Sequence, residues 1–123
     1  MNFREATVTD VAQIQFVRGN VRENILSDPG KVTDEMVLDH ITNRGKGWVC
    51  EVADSVVGFG IVDVVKGNVW ALFLLPDYEG QGIGKKLLDM MLEWYFQKSD
   101  KTSIWLSTEP GTRAERFYTK SGW

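Results

Sequence analysis

The pattern of apolar and polar residues divides the chain into strands and amphipathic helices. Seven nearly unbroken apolar residues, Val69–Leu75, are too few for a buried helix and are closed by Pro76, which is typical of a strand covered on both faces. After a glycine-rich stretch, apolar residues recur at helical spacing from Leu87 to Tyr95. The centre of the chain therefore predicts a strand, a glycine loop and an amphipathic helix, in that order.

Two helices are predicted nearer the amino end, after a short strand at Asn2–Thr7. Asp10 is a favourable N-cap for the first helix, and the turn residues Ser27–Gly30 end it. Thr33 caps the second helix, and Arg44–Gly47 breaks it. The residues expected to face inward are Val11, Ile14, Val17, Val21 and Ile25 on the first helix, and Met36, Val37, Leu38 and Ile41 on the second.

The remaining strands predict a mixed sheet of the α/β (α+β) class. Three consecutive strands with short connections form an antiparallel meander. A later strand is joined to the meander by the central helix, so it is expected to run parallel to the central strand. The expected strands are Trp48–Ala53 and Val56–Val65, joined at Asp54 and Ser55, then Val69–Leu75 and the parallel Thr102–Thr108, with a last helix opening at Pro110.

Length and composition restrict the kind of protein. The 123 residues, 43% hydrophobic and 25% charged, suit a single globular domain spanning 1–123. No apolar run is long enough for a membrane helix, and the lone Cys50 agrees with a reducing compartment, so the expected location is the cytoplasm. A net charge of -3 with no basic block argues against nucleic acid or a membrane surface as a partner.

The glycine loop carries the first chemical signal. Gly80, Gly82 and Gly84 stand directly before the helix, where backbone N–H groups and the helix dipole favour a phosphate. The Walker pattern is not matched, because Lys86 follows Lys85 where serine or threonine is needed and Glu79 stands where a glycine is needed. The dinucleotide-binding fingerprint is not matched either, because the spacing of the three glycines differs from it. A tight strand-to-helix turn without a ligand remains the alternative on this signal alone.

Two motifs resemble those of the GNAT family of N-acetyltransferases. The family pattern [RQ]-x-x-G-x-[GA] is matched by Glu79–Gly84, except that Glu79 stands where arginine or glutamine is usual. The pattern A-x-x-F-Y-x-x-x-G-[FW] is matched by Ala114, Phe117, Tyr118, Gly122 and Trp123. The predicted order of strands and helices also resembles the family over nearly the whole chain. The resemblance implies a central sheet that splays between the central and parallel strands, flanked by about four helices.

The resemblance implies acetyl-CoA as co-substrate, an amine acceptor and no metal. The main chain of Phe73, Leu74 and Leu75 would face the pantetheine, and the N–H of Leu74 would stabilise the oxyanion. Tyr118 would give a proton to the departing thiolate. The residues implied for the cofactor pyrophosphate and its loop are Glu79, Gly80, Gln81, Gly82, Ile83, Gly84 and Lys85.

Several alternatives stay open. The general base is unassigned among Asp63, Glu51, Glu109 and a water relay, and Gly111 stands where many members have asparagine against CoA. The rival functions are a non-catalytic acyl-CoA-binding module and an unrelated phosphate-binding protein.

Three other features are open to a simpler interpretation. Cys50 and His40 lack an orienting motif for a nucleophile and base, so Cys50 is expected to be a strand hydrophobe and His40 a surface helix residue. The tryptophans Trp48, Trp70 and Trp105 either line an acceptor pocket or serve packing.

The end of the sequence gives a last expectation. GNAT members continue after G-[FW] into two strands that cover the sheet edge, whereas Trp123 is the last residue here. An open edge strand tends to pair with another chain. We therefore expect either a truncated domain or a homodimer formed through this edge.

Overall fold

A computed structural model describes residues 1–20, 32–98, 103–105 and 113–120 of the chain. Within them, four antiparallel strands form a sheet in the order β1-β2-β3-β4. The predicted meander and the mixed class are confirmed, and helices cover both faces of the sheet. The elements are β1 (Asn2–Glu5), α1 (Val11–Gly19), α2 (Asp34–Asp39), β2 (Gly45–Val52), β3 (Ser55–Asp63), β4 (Asn68–Leu74), α3 (Ile83–Lys98) and α4 (Arg113–Lys120).

An apolar core lies on each face of the sheet, because side chains alternate along every strand. We call these the α1 face and the α3 face. Val49 points to the α1 face, whereas its neighbours Trp48 and Cys50 point to the α3 face. The helical residues buried on the α1 face are Ile14, Val17, Val37 and Ile41, and those on the α3 face are Ile83, Leu87, Leu88, Met91 and Tyr118.

The helix start at Thr33 is confirmed, since its hydroxyl accepts the Met36 N–H at 3.2 Å. The expected burial is wrong for Met36 and Leu38, each 38% exposed, because only Val37 and Ile41 of this set face the sheet. Asp10 is the N-cap residue of α1, as expected, but its side chain makes no capping hydrogen bond to that helix. Asp10 ends a short 3-10 turn, accepts the Thr7 N–H at 2.7 Å and forms an ion pair with Arg4.

The first hairpin is shifted from its predicted position. β2 begins at Gly45, and the turn residues are Ala53 and Asp54, with φ angles of 52° and 65°. Two successive left-handed residues form a two-residue turn that matches the twist of the flanking strands. The connection was predicted at Asp54 and Ser55, so that prediction is wrong by one residue. The glycines of β3 are closely packed, because a methyl group on Gly58 would overlap Leu74 and one on Gly60 would overlap Met91.

The parallel strand is described only at residues 103–105. Trp105 forms a parallel bridge with Asn68, its carbonyl accepts the Val69 N–H at 2.9 Å, and its N–H donates to Gly67 at 3.1 Å. The rest of the predicted strand lies outside the described residues, as do Val21, Ile25, Glu109 and Gly111, so the splayed pair stays a prediction. In the described part of the chain, no helix combines the length and apolarity needed to cross a bilayer.

Candidate active site

A bulge in β4 decides where the main chain of this strand points. Ile61 pairs with Ala71 but Val62 pairs with Val69, so Trp70 is the extra residue. Trp70 and Ala71 consequently both lie on the α1 face, although they are successive residues. The bulge therefore changes which edge of the strand each later N–H group faces.

The Leu74 N–H points to the outer edge of β4. Leu75 donates its N–H to the Val57 carbonyl of β3 at 2.8 Å, and successive N–H groups of a strand point to opposite edges. The N–H of Leu74 is thus directed away from β3, towards the edge where Val69 donates to Trp105. This is the edge on which the sequence placed the acyl carrier.

The glycine loop positions the first turn of α3. Gly80 and Gly82 have φ angles of 76° and 84°, which L side chains rarely adopt. The first helical bond runs from the Lys86 N–H to the Gly82 carbonyl at 3.1 Å, so the N–H groups of Ile83, Gly84 and Lys85 have no carbonyl within the helix. A Cβ at Gly82 would meet no atom within 4 Å. The exposed loop thus leaves room for an anion against these donors.

Gly84 is where the strand, the loop and the last helix meet. A Cβ at this buried residue would lie 3.5 Å from Leu74 Cδ1 and 3.5 Å from Phe117 Cε1. The two motifs, about 30 residues apart in sequence, are therefore neighbours in space. This proximity, which no spacing along the chain guaranteed, places the α4 motif beside the Leu74 side chain of β4.

Tyr118 belongs to the buried cluster of the α3 face, with 8% of its surface exposed. Ile83 and Leu87 of α3 are in the same cluster, and Leu74 packs against it. Burial raises the pKa of the Tyr118 hydroxyl, because a phenolate is poorly solvated there. The hydroxyl is accordingly protonated throughout the neutral pH range.

The two lysines of the loop motif contact Asp89 of α3 and Phe3 of β1. Lys85 Nζ lies 2.6 Å from Asp89 Oδ1, one turn further on, and Lys86 Nζ lies 4.6 Å from the centroid of the Phe3 ring. Gln81 donates from its amide to the Asp77 carbonyl at 3.3 Å, which ties the loop to the turn after β4. The Gln81 contact holds the loop, whereas the lysine contacts lie on or beside α3. The candidate anion donors are therefore main-chain groups.

The two candidate general bases among the described residues, Asp63 and Glu51, are engaged elsewhere. Asp63 is fully buried and accepts hydrogen bonds from Arg44 Nε and from the Lys66 N–H, each at 3.0 Å. Burial alone would raise the pKa of Asp63, but these hydrogen bonds hold it below its usual value. Glu51 lies 2.7 Å from Arg4 Nε. Neither carboxylate is arranged to accept a proton from an amine.

The prediction that His40 lies on the surface is wrong. His40 is 8% exposed, stacks on Trp70 with ring centroids 3.6 Å apart, and faces Asp63 Oδ2 at 3.3 Å from its Nε2. It is therefore held on the α1 face, whereas Cys50 lies buried on the α3 face as a strand hydrophobe. Opposite faces of the sheet rule out a pair between them. No sequence signal indicated the stack, since it depends on the wide turn His40–Arg44 after α2.

The three tryptophans do not line one pocket. Trp48 is buried on the α3 face against Trp94, Trp70 lies on the α1 face, and Trp105 is 52% exposed. The pocket hypothesis is therefore wrong, although Trp70 contributes to a different cluster with Arg18. The Arg18 guanidinium carbon lies 5.7 Å from the Trp70 centroid and 5.2 Å from the Phe73 centroid.

The sheet covered on both faces, its bulged strand and the glycine loop before α3 agree with the acyltransferase class that the two motifs indicated. The Acetyltransferase (GNAT) family matches residues 17–123, and the chain belongs to that family.

An uncharacterised N-acetyltransferase of Archaeoglobus fulgidus is 32% identical over 80 residues, which are 57% of this chain and 54% of that protein. The match thus spans about half the length of the curated relative.

Solved structures agree with this fold. The PaiA N-acetyltransferase of Thermoplasma acidophilum, determined in complex with coenzyme A, has a TM-score of 0.82 at 18% identity, covering 98% of this chain and 87% of that one. An aminoglycoside antibiotic 6'-N-acetyltransferase of Acinetobacter haemolyticus has a TM-score of 0.76 at 12% identity, covering 100% of this chain and 90% of that one. At these identities the likeness establishes the fold alone.

Proposed function

We propose that the chain is an acetyl-CoA-dependent N-acetyltransferase that transfers an acetyl group directly to a primary amine. The observation that carries the proposal is the meeting of three parts at Gly84: the Leu74 side chain of β4, the amino end of α3 and the Phe117–Tyr118 motif. Acetyl-CoA supplies the activated acyl group. The chain's own residues bind it, orient it and stabilise the charges that develop.

Main-chain groups hold the carrier in this proposal. The N–H groups of Gln81, Gly82, Ile83, Gly84 and Lys85, at and before the first turn of α3, face the pyrophosphate. The outer edge of β4 at Leu74, between Phe73 and Leu75, receives the pantetheine as a further strand would be received, and Leu74 offers an N–H on that edge. The positive φ angles of Gly80 and Gly82 and the open space at Gly82 support this fit.

The chemical step uses the same edge. The amine nitrogen forms a bond to the acyl carbon while the carbon–sulfur bond breaks, and the Leu74 N–H donates to the oxygen that gains negative charge. The Tyr118 hydroxyl donates its proton to the leaving sulfur, which ends as a thiol. The amine nitrogen loses one proton to water as it becomes an amide, and a proton returned through water restores the Tyr118 hydroxyl. A hydroxyl that burial keeps protonated suits this role.

The rival is an acyl-CoA-binding module without turnover, and Glu79 is the observation that favours it. A carboxylate at the start of the loop repels a pyrophosphate unless it is directed away or paired. Thiol release from acetyl-CoA, measured with a panel of amines, peptides and aminoglycosides, separates the two functions. Binding of acetyl-CoA without thiol release from any acceptor would support the module.

A further inference from the structure

Arg18 stands out among the arginines whose side chains are described. Arg4 pairs with Asp10 and Glu51, and Arg44 pairs with Asp63. The described contacts of Arg18 are instead two aromatic rings, Trp70 and Phe73, to which it presents its guanidinium carbon. In the described part of the chain, no carboxylate is seen to accept a hydrogen bond from it.

The position of Arg18 has an electrostatic cost. Its side chain is half-buried near the end of α1, and burial lowers the pKa of the guanidinium without an opposing acid. Contact with two ring faces offsets part of that cost. A guanidinium that rests on aromatic rings still has N–H groups along its edge, in the fork geometry that matches a carboxylate. Among the described residues no anion meets this edge, so the guanidinium is arranged to receive one from outside the described part of the chain.

The rings connect Arg18 to the reaction site. Phe73 directly precedes Leu74, but its side chain lies on the α1 face, opposite the face on which Leu74 meets the glycine loop. With the carrier bound on the loop side, the acceptor must approach from the other side. Arg18 is the described cation that faces this approach beside Phe73.

We propose that Arg18 binds a carboxylate on the acceptor, so that the acceptor class is an amine that also carries a carboxylate. This inference rests on the proposed function. Arg18 would orient the acceptor through its charged end while the amine reaches the acyl carbon beside Leu74. A net charge of -3 by itself would weakly favour a cationic acceptor, whereas the local charge at this site favours a zwitterionic one.

The test compares matched amines that differ only in the carboxylate. Thiol release is measured with glycine, β-alanine, 4-aminobutyrate and 6-aminohexanoate, and with the amide of each, which keeps the amine and removes the charge. For at least one chain length we expect kcat/KM to favour the acid by about ten-fold to a hundred-fold, the range expected for hydrogen bonds to a charged group. In Arg18→Gln this ratio should fall to about one, and Arg18→Lys should restore part of it.

Lys46→Gln is the matched control. Lys46 is also a cation over a ring, 5.8 Å from the Trp94 centroid, but it lies next to α3 and pairs with Glu5. Lys46→Gln changes the net charge by the same amount as Arg18→Gln but lies away from the proposed acceptor site. It should therefore keep the acid-to-amide ratio of the unmodified chain. Equal reduction of the ratio by both variants would assign the effect to long-range charge and overturn the proposal.

Two results separate this inference from the proposed function. Normal turnover with acid-to-amide ratios near one at every length, or a ratio that Arg18→Gln leaves unchanged, overturns the role of Arg18 only. If no amine is acetylated, the same acids are titrated calorimetrically into the chain saturated with coenzyme A. Binding that Arg18→Gln removes and Lys46→Gln retains then supports the site, and binding that is absent or insensitive to Arg18→Gln overturns it.

Discussion

Replacing Gly82 with alanine tests the glycine loop as an anion site. The φ angle of 84° belongs to the left-handed region, where a Cβ costs about 1–2 kcal/mol of free energy. Steric overlap adds nothing in the free protein, because a Cβ there would meet no atom within 4 Å. The expected loss in the free energy of unfolding is therefore about 1–2 kcal/mol, from backbone strain alone.

The effect on acetyl-CoA binding has a different cause, because strain that the free and bound proteins share does not change Kd. A Cβ at Gly82 occupies space in front of the helix donors, so the pyrophosphate cannot approach them closely. We expect Kd for acetyl-CoA to rise by about ten-fold or more, equivalent to about 1.4 kcal/mol, and further in Gly82→Val. Calorimetric titration measures Kd, and chemical denaturation measures the free energy of unfolding on the same preparations.

Gly67→Ala is the control for strain. Gly67 has a φ angle of 74° but lies in the turn before β4, away from the loop. It should lower the stability by a similar amount and leave Kd unchanged. If Gly82→Ala loses stability while its Kd stays within two-fold of the unmodified value, the loop does not bind the carrier and the proposed function loses its foundation.

Three further predictions use other parts of the site. Tyr118→Phe should keep the affinity for acetyl-CoA and lower kcat by about a hundred-fold, as loss of a proton donor does; unchanged turnover with a confirmed acceptor would make Tyr118 a packing residue. Glu79→Gln should tighten acetyl-CoA binding modestly, with a gain that shrinks as salt is added, and weaker binding would show that the carboxylate has a favourable role. Asp63→Asn should cost about 3–5 kcal/mol in the free energy of unfolding, because Arg44 and His40 lose their buried partner. Since the pKa of Asp63 is lowered in the folded protein, its contribution is complete at neutral pH and is lost as the pH falls below the ordinary carboxyl value; denaturation curves of Asp63→Asn should lack that acid dependence.

Local sequence patterns predicted most of the strands and helices. The apolar run of Val69–Leu75 predicted a strand covered on both faces, and the structure packs α1 against one face and α3 against the other. The Thr33 cap was also predictable, because it depends on a hydroxyl and an N–H three residues apart. The turn at Ala53 and Asp54 was missed by one residue, since neither is a residue that favours the left-handed region as strongly as glycine.

The residues of the candidate site were predictable from sequence motifs, but their arrangement in space was not. Spacing along the chain identified Gly80, Gly82, Gly84 and Tyr118, because a glycine-rich loop and an aromatic pair are sequence patterns. The bulge at Trp70, which directs the Leu74 N–H to the outer edge, left no signal that we recognised. A bulge depends on how two strands pair with each other and pack against their helices, so the sequence of one strand does not define it.

The sequence by itself determined the family's motifs, the order of strands and helices and the loop where an anion is expected, because these depend on residues close together in the chain. Only the tertiary structure decided that His40 is buried on Trp70 and that Arg18 lies over Trp70 and Phe73. Those contacts join α1, the turn after α2 and β4, elements more than twenty residues apart. The positions of these contacts depend on which face of each helix packs on the sheet and at what angle. That packing is set by the burial of side chains over the whole domain, which no local sequence pattern specifies.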